Sequence, residues 1–600
     1  MPRAGKLKSG KEHDIIIYSG NGNAGGGKPL PYGTQRIMTS TDLITYSSYA
    51  LAALAVWVLC RCARSMLRWR YEPELWGYFE LPGGTSAPIR HWECILGRAK
   101  ASDIVLTGDG IERSHAAVQR SGDGEWTVTP LSRRAAVKVN GKAVTEPTAI
   151  KNGDRLRLGE STLRFLLLTE EQRGTLQRKR PETGRAVSPA GTLFLVTLFQ
   201  LLLLLQHTIS AKADDLFSVF LAFALLIVLE WACYFFMRGF GMRGFEPETL
   251  AFFLTSVGFS VAASAVPGQM LKQCLLFAAA LLFFVLLGLW LRDLRRVRAL
   301  RWCAVAAALL ALGLNLVLSE RVFGAKNWLS VGGFSLQPSE FVKIAYIYAG
   351  AATLDRLFHR KNLIFFIAFS AVCVGALALM GDFGTALVFF CCFLVISFMR
   401  SGSFATVFLA VTAAALAGLM VLTVRPYVAQ RFATFGHAWA DSYGAGYQQT
   451  RAMSATAAGG LFGRGAGAGW LKNIVAADTD LVFGVVTEEL GLIVAACCLI
   501  SLVLLAVFAV RSAAAGRSSY YVIASCAAVT VFLVQTALNV FGSLDLLPFT
   551  GVTLPFVSRG GSSLISCWAL LAYVKAGDTR RGASFALRTS FETEKEAKTK

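Results

Sequence analysis

Long apolar runs alternate with short polar connections over most of this chain. The first run spans Leu43–Cys60 and is followed by "RCARSMLRWR". From Gly191 onward, apolar runs fall near 191–209, 215–237, 248–266, 270–291, 301–318, 338–355, 362–380, 383–399, 403–424, 481–510, 520–541 and 553–575. Their lengths are those of membrane-crossing helices, about 20 residues each. The connections "MRGFGMRG", "RDLRRVRALR", "DRLFHRKN", "MRSGS" and "RSAAAGRSS" are basic and fall at every second position. Lys and Arg accumulate on the cytoplasmic side of membrane proteins. One topology satisfies all of them: thirteen spans, the N-terminus outside, and the "KAGDTRRGAS" tail of 577–600 inside.

The pattern changes in two places. Residues 1–42 are polar and Gly-rich ("GNGNAGGG") and read as disordered. Between 74 and 168, short alternating stretches are separated by the turn signals "SGDG", "NGK" and "KNGDRLRLG", which predicts a small all-β sandwich. An anchor at 43–62 precedes it and a basic linker at 169–190 follows, so the topology places the sandwich in the cytoplasm. The expected fold class is a polytopic α-helical membrane bundle with one small all-β domain.

Composition agrees. Hydrophobic residues make up 54% of the chain and charged residues 16%. A net charge of +21 would point to nucleic acid in a soluble protein, but here the basic residues sit between apolar runs, as topology requires. The 13 cysteines form neither a disulfide nor a zinc framework: Cys391, Cys392, Cys497 and Cys498 lie inside apolar runs, Cys60 and Cys62 end the first span, and none falls in an outer loop.

The outer loops of this topology are 319–337, 381–382, 425–480 and 542–552. The largest holds "GYQQTRAMSATAAGGLFGRGAGAGW", with Gln448, and carries Arg425, Arg431, Arg451, Arg464 and Lys472 against Asp441, Asp478 and Asp480. A basic, Gly-rich pocket beside an acid suits an anionic substrate with a proton to remove; the alternative is a re-entrant loop that needs glycine for packing. "GAKNWLSVGGFSLQPSEFVK" places Lys326 and Trp328 ahead of a helix that carries Glu340 and, on the same face, Lys343. A lysine inside a membrane helix requires a partner or an anionic ligand; a Glu340–Lys343 pair is the simpler reading. Asp382 in "GDFGTA" stands where a carboxylate favours a helix N-terminus. "DLLPFTGVTLPFVSRGGSSLIS" combines Pro548 and Pro555 with Ser558, Gly560, Gly561, Ser562 and Ser563. Such broken segments build polar cavities in membranes. Glu488 and Glu489 lie deeper, in "DTDLVFGVVTEELG".

These five motifs, in this order over 248–576, resemble the SEDS family (FtsW, RodA and SpoVE). The resemblance implies a peptidoglycan glycosyltransferase that polymerises lipid II outside the cytoplasmic membrane of a bacterium, beside a class B penicillin-binding protein. It places the essential carboxylate at Asp480, as general base toward the acceptor hydroxyl, with inversion and undecaprenyl diphosphate as leaving group. Lys343, Lys326 and the loop arginines, Arg431 above all, are the cations it offers to the diphosphates, with a divalent ion (Mg or Mn) as the other source of positive charge. Trp328, Glu340, Asp382, Gln448, Arg464, Ser558, Gly560, Gly561 and Ser562 complete the expected substrate surface. Three positions depart from the family pattern: Asp478 replaces a His, Asn327 a cation and Arg559 a Tyr. The runs near 191–209 and 215–237 have no family counterpart and receive no role. A lipid II flippase and a non-catalytic scaffold are the rival functions.

The sandwich resembles a forkhead-associated (FHA) domain through "ILGR" (Arg98), "IERSHAAV" (Ser114, His115), "VNGK" (Asn140) and "KNGDRLRLG". That implies a cytoplasmic phosphothreonine-peptide partner. Glu112 occupies the serine position of the phosphate site, where a carboxylate repels phosphate. The fold is therefore expected without strong phosphopeptide binding, unless Ser114 substitutes by a shift of register.

Overall fold

The computed structural model describes residues 39–585 apart from 69–72, 101, 122–123, 132–135, 180–186, 243, 321–325, 332–333, 355–359, 425–431 and 581–582. Its helices are α1 (Ser40–Arg68), α2 (Glu170–Lys179), α3 (Pro189–Ser210), α4 (Leu216–Gly239), α5 (Glu246–Ala265), α6 (Met270–Trp290), α7 (Leu294–Ala299), α8 (Arg301–Leu318), α9 (Pro338–Leu354), α10 (Arg360–Met380), α11 (Phe383–Ser401), α12 (Phe404–Val424), α13 (Tyr447–Gly459), α14 (Val482–Ala513), α15 (Ser519–Ser543) and α16 (Gly561–Ala576). Within the expected linker, α2 is helical. Residues 1–38 of the polar N-terminal stretch lie outside the described residues, and α1 begins three residues ahead of the expected run.

Eleven of the described helices are long and apolar enough to cross a membrane. The two remaining expected spans correspond to α9 and α16, with 17 and 16 residues. At about 1.5 Å per residue each is shorter than a hydrocarbon core of about 30 Å. Non-helical backbone precedes both: a hairpin of Leu329–Val331 and Phe334–Leu336 before α9, and residues 544–560 before α16. The run expected as one helix at 553–575 thus becomes helical only at Gly561. Pro555 lacks the N–H that a helix needs there, and Phe556 has φ 65.

The buried centre of the bundle is α16, whose Trp568 meets the rings of Phe252, Phe277, Phe284 and Phe556 at 4.9–6.0 Å. Helix α5 is almost wholly enclosed, whereas the crossing part of α12 buries nothing within the molecule. Polar side chains inside the bundle find one another, because an unpaired polar group there is expensive. Lys575 and Glu248 pair at 2.8 Å, both fully buried. Gln200 of α3 donates to Glu230 of α4 (2.6 Å) and Ser256 of α5 (2.8 Å). These bonds fasten α3 and α4 to the body.

The sandwich has two antiparallel-rich sheets. One runs Ser86–Ile89, Gly77–Glu80, Ser161–Leu167, Arg155–Leu158, Val137–Val139, Lys142–Val144; the other runs Ile104–Val105, Glu93–Gly97, Ala116–Arg120, Trp126–Pro130, Thr148–Ile150. Phe79, Phe165 and Trp126 fill the space between them. The domain is docked on the turn between α14 and α15. Arg517 in that turn is buried and grips Glu74 with two nitrogens, at 2.9 and 3.1 Å, while its third donates to the carbonyl of Asp578 at 2.9 Å. Glu93 accepts from the Ser518 hydroxyl (2.8 Å) and the Ser519 amide (3.0 Å). Trp92 donates its amide to the Arg517 carbonyl and sets its ring against Tyr521. Because α14 runs from Asp480's turn at one end to this docking turn at the other, the sandwich and Asp480 lie at opposite ends of the bundle.

Removing one partner of a buried ion pair strands the other, which costs about 3–5 kcal/mol. Glu74→Ala is therefore expected to loosen the sandwich, read as faster hydrogen exchange over 514–521. Glu80→Ala, which removes the exposed partner of Arg164, should leave that exchange unchanged.

Candidate active site

The turn that enters α14 is held from several sides. The Ala476 carbonyl accepts the amides of Thr479 (3.2 Å) and Asp480 (2.8 Å), with Ala476 at φ 60. Asn539 of α15 donates to the Asp480 carbonyl (3.0 Å) and to the Val552 carbonyl (2.8 Å), which ties the turn to the broken segment ahead of α16. Ser558 donates to the Thr479 carbonyl at 2.6 Å and accepts the Leu554 amide at 2.9 Å. The Arg559 amide reaches the Asp478 carbonyl at 2.8 Å, and the two side chains form a close ion pair. The half-buried Asp480 carboxylate lies over Gly551, where an added Cβ would stand 3.1 Å from Oδ2 and φ is +67. A side chain at that glycine would crowd the carboxylate and strain the backbone.

Two of the sequence departures therefore answer each other. Asp478 brings a negative charge beside Asp480, and Arg559 neutralises it. Each was legible alone, but their pairing was not, because 81 residues separate them. Asn539 was missed altogether. A lone Asn inside the run 520–541 was the available signal, since polar groups in such runs mark functional or packing contacts.

Glu488 and Glu489 organise the Gly-rich loop. Glu488 accepts the amides of Trp470 and Leu471, each at 3.0 Å, and Arg464 approaches it at 3.6 Å. Glu489 accepts the Gly467 amide (2.9 Å) and the Ser264 hydroxyl (2.6 Å). Both carboxylates are buried, and a Cβ at Gly469 would come within 2.8 Å of Glu488 Oε2. Gln448 of α13 braces the same region by donating to the Val475 carbonyl at 3.1 Å.

A second cluster sits around the N-termini of α9 and α11. Glu340 and Lys343 pair at 2.7 Å, both buried. Asp382 caps α11 by accepting the Thr385 amide at 3.0 Å. The segment leading into α16 and the first turns of α16 join this cluster to the first: Ser562 accepts the Gln337 amide at 3.4 Å, Ser566 donates to the Glu340 carbonyl at 3.0 Å, and a Cβ at Gly384 would lie 2.5 Å from Val552 Cγ2. Gly560 precedes α16, and Gly561 admits Leu276 of α6. Lys326 turns inward to the Leu316 carbonyl (3.1 Å), and Trp328 is exposed beside it. Arg425 and Arg431 lie outside the described residues. Among the described residues no three His, Cys, Asp or Glu side chains converge as metal donors. Asp478 is engaged with Arg559, and Glu488 and Glu489 with backbone amides, so these acids do not fit a cation site held by protein groups alone.

In the sandwich, Arg98 and Glu112 are exposed and adjacent, their strands joined by the Arg98 amide and Glu112 carbonyl at 2.9 Å. Ser114 is half-buried and His115 buried, its Nδ1 facing the Glu112 amide at 3.3 Å. Asn140, at φ 50, uses its side chain on Asp154 (2.9 Å) and on the Arg155 amide (2.9 Å).

Comparison with known proteins gives the class of the helical bundle and of the sandwich. The model of the FtsW/RodA/SpoVE cell cycle protein family matches residues 252–579, and that of the FHA domain matches 94–159. The "Probable peptidoglycan glycosyltransferase FtsW" of Tolumonas auensis is 35% identical over 373 residues, 58% of this chain and 94% of that protein. The "Peptidoglycan glycosyltransferase RodA" of Mycobacterium tuberculosis is 30% identical over 326 residues, 51% and 69% of the two chains. The crystal structure of RodA from Thermus thermophilus is 26% identical, covering 55% of this chain and 95% of that one, with a TM-score of 0.42. The chain belongs to the FtsW/RodA/SpoVE family and carries an FHA domain ahead of the family body.

Two outcomes are expected here. Arg559→Ala exposes Asp480 to the unpaired charge of Asp478 and should lower glycan synthesis; the double change Arg559→Ala with Asp478→Ala should recover at least about half of the lost activity, as a double-mutant cycle over directly paired groups measures. In the sandwich, Glu112→Ser should tighten binding of a phosphothreonine peptide library to the full-length protein by about tenfold over a weak wild type, since it replaces a like charge by a hydroxyl donor.

Proposed function

We propose that the protein is a peptidoglycan glycosyltransferase that polymerises lipid II, with Asp480 as general base. The observation that carries this reading is the Asp480 carboxylate itself: half-buried, laid over Gly551, on a turn fixed by Asn539 and Ser558, and relieved of the neighbouring Asp478 charge by Arg559. The names of its relatives support the reaction class.

In this reading the acceptor sugar's 4-hydroxyl gives its proton to Asp480 as its oxygen attacks the donor's anomeric carbon. The bond to undecaprenyl diphosphate breaks on the far side, so an α linkage becomes β. Positive charge must meet the leaving diphosphate. Arg464, half-exposed on the Gly-rich loop and only loosely paired with Glu488 at 3.6 Å, is a described cation open to supply it, whereas Lys343 is buried against Glu340. The Asp480 end of the bundle faces the outside of the cytoplasmic membrane and the docked FHA domain faces the cytoplasm. The class of partner is a class B penicillin-binding protein.

Purified full-length protein and its Asp480→Asn variant, assayed with lipid II and the partner, test this directly. Loss of a general base lowers turnover by about 10²–10⁴-fold, so glycan chains should form with the wild type and be barely detectable with the variant. Equal polymerisation by both would refute the assignment of the base. Lipid II translocation without polymerisation by the wild type would replace the enzyme by a flippase.

A further inference from the structure

We infer that Gln206, in the last turn of α3, is a positioning residue for the Gly-rich loop, and that α1 and α3 form a bracket which presses residues 462–467 against Glu488 and Glu489. Both helices precede the segment that matches the family model, residues 252–579.

The argument begins with the backbone of the loop. Three successive amides point to two sides. Gly465 donates to the Glu489 carbonyl and Gly467 to the Glu489 carboxylate, each at 2.9 Å. Residues 465–468 form a turn, closed by the Ala468 amide on the Gly465 carbonyl at 3.1 Å; the Ala466 amide takes no part in that bond or in those to Glu489, and an N–H buried there needs a partner. Gln206 supplies it: its Oε1 accepts the Ala466 amide at 2.9 Å. The same side-chain amide donates to Ser47 (2.9 Å) and Ser48 (3.0 Å) of α1. Gln206 is fully buried, so both ends of its amide are matched where water does not compete.

Other contacts close the bracket. His207 bonds Ser260 of α5 at 2.9 Å, which fixes the end of α3 to the body. Tyr49 of α1 meets the Phe462 ring edge-on at 4.6 Å. A Cβ at Gly465 would lie 2.6 Å from Ile44 Cγ2, and one at Gly467 would lie 3.1 Å from Ser210 Cβ. The loop therefore runs in a slot with α1 and α3 on one wall and the start of α14 on the other. Beyond the slot the chain passes through the amides held by Glu488 and reaches the turn of Asp480. Gln206 acts on the reaction through this loop and not through substrate.

The activity readout rests on the glycosyltransferase reading; the exchange readout does not. Full-length protein in lipid nanodiscs would carry Gln206→Met, which keeps the side-chain length and removes both hydrogen-bonding ends. Hydrogen exchange over 462–472 should quicken by about tenfold while the sandwich strands stay as in the wild type. With lipid II as substrate, kcat should fall about tenfold and KM stay within about twofold, the signature of a mispositioned catalytic group and not of lost binding. Ser47→Ala with Ser48→Ala cuts the bracket from the other wall by small changes and should shift both readouts the same way by less; it decides the matter if the Gln206 variant fails to assemble. Unchanged exchange over 462–472, exchange that quickens everywhere, or a KM effect with kcat preserved would each overturn the inference. Should the wild type make no glycan, the catalytic reading falls, and the exchange result alone judges the bracket.

Discussion

Main-chain amides inside an apolar bundle need acceptors, and the architecture of the site follows from how this chain provides them. Apart from a single 3-10 turn at Leu471–Asn473, the Gly-rich loop between α13 and α14 has no helix or strand to satisfy its own backbone. Glu488 and Glu489 take five of its amides, three through the Glu488 carbonyl and carboxylate and two through the Glu489 carbonyl and carboxylate. Acids at the mouth of a hydrophobic helix, costly in lipid, are thereby converted into the fixture on which an irregular loop is built. The dense glycines are the other half of the same device, since side chains there would collide with those acids.

The segment ahead of α16 performs a similar service between the two polar clusters. Its Ser558 hydroxyl reaches Thr479 on one side, and Ser566 of α16 itself reaches Glu340 on the other. It stays non-helical because prolines and a left-handed Phe556 forbid the helix that its hydrophobicity alone would favour. A short helix then completes the crossing, buried on all sides, so that irregular backbone at that depth is lined by protein and not by lipid.

Much of this was legible in the residues. Apolar runs and basic connections located the helices, and the alternation between 74 and 168 located the sandwich. Five ordered motifs pointed to the family and to Asp480. What hydropathy could not register was the late start of helix in the run 553–575, at Gly561, because Pro555 and Phe556 are apolar while breaking the helix. Nor could spacing reveal pairings between distant positions. Asp478 with Arg559, Glu74 with Arg517 and Gln206 with Ala466 each depend on tertiary approach, and none leaves a periodic trace. The Glu340–Lys343 pair, by contrast, is the simpler of the two readings that their spacing offered, and the two side chains meet at 2.7 Å.

The docking of the FHA domain has its own logic. Arg517 joins three chain segments that are remote in sequence: the entry to the sandwich, the turn after α14 and the start of the C-terminal tail. The carboxylates on the opposite end of α14 are fastened differently, mainly to amides and a hydroxyl and little to mobile cations. Exposed ion pairs weaken as electrolyte rises, over a screening distance of about 8 Å in physiological saline, whereas buried contacts with neutral dipoles hardly respond. A loop pinned in this second manner should keep its shape across dilute and briny surroundings alike.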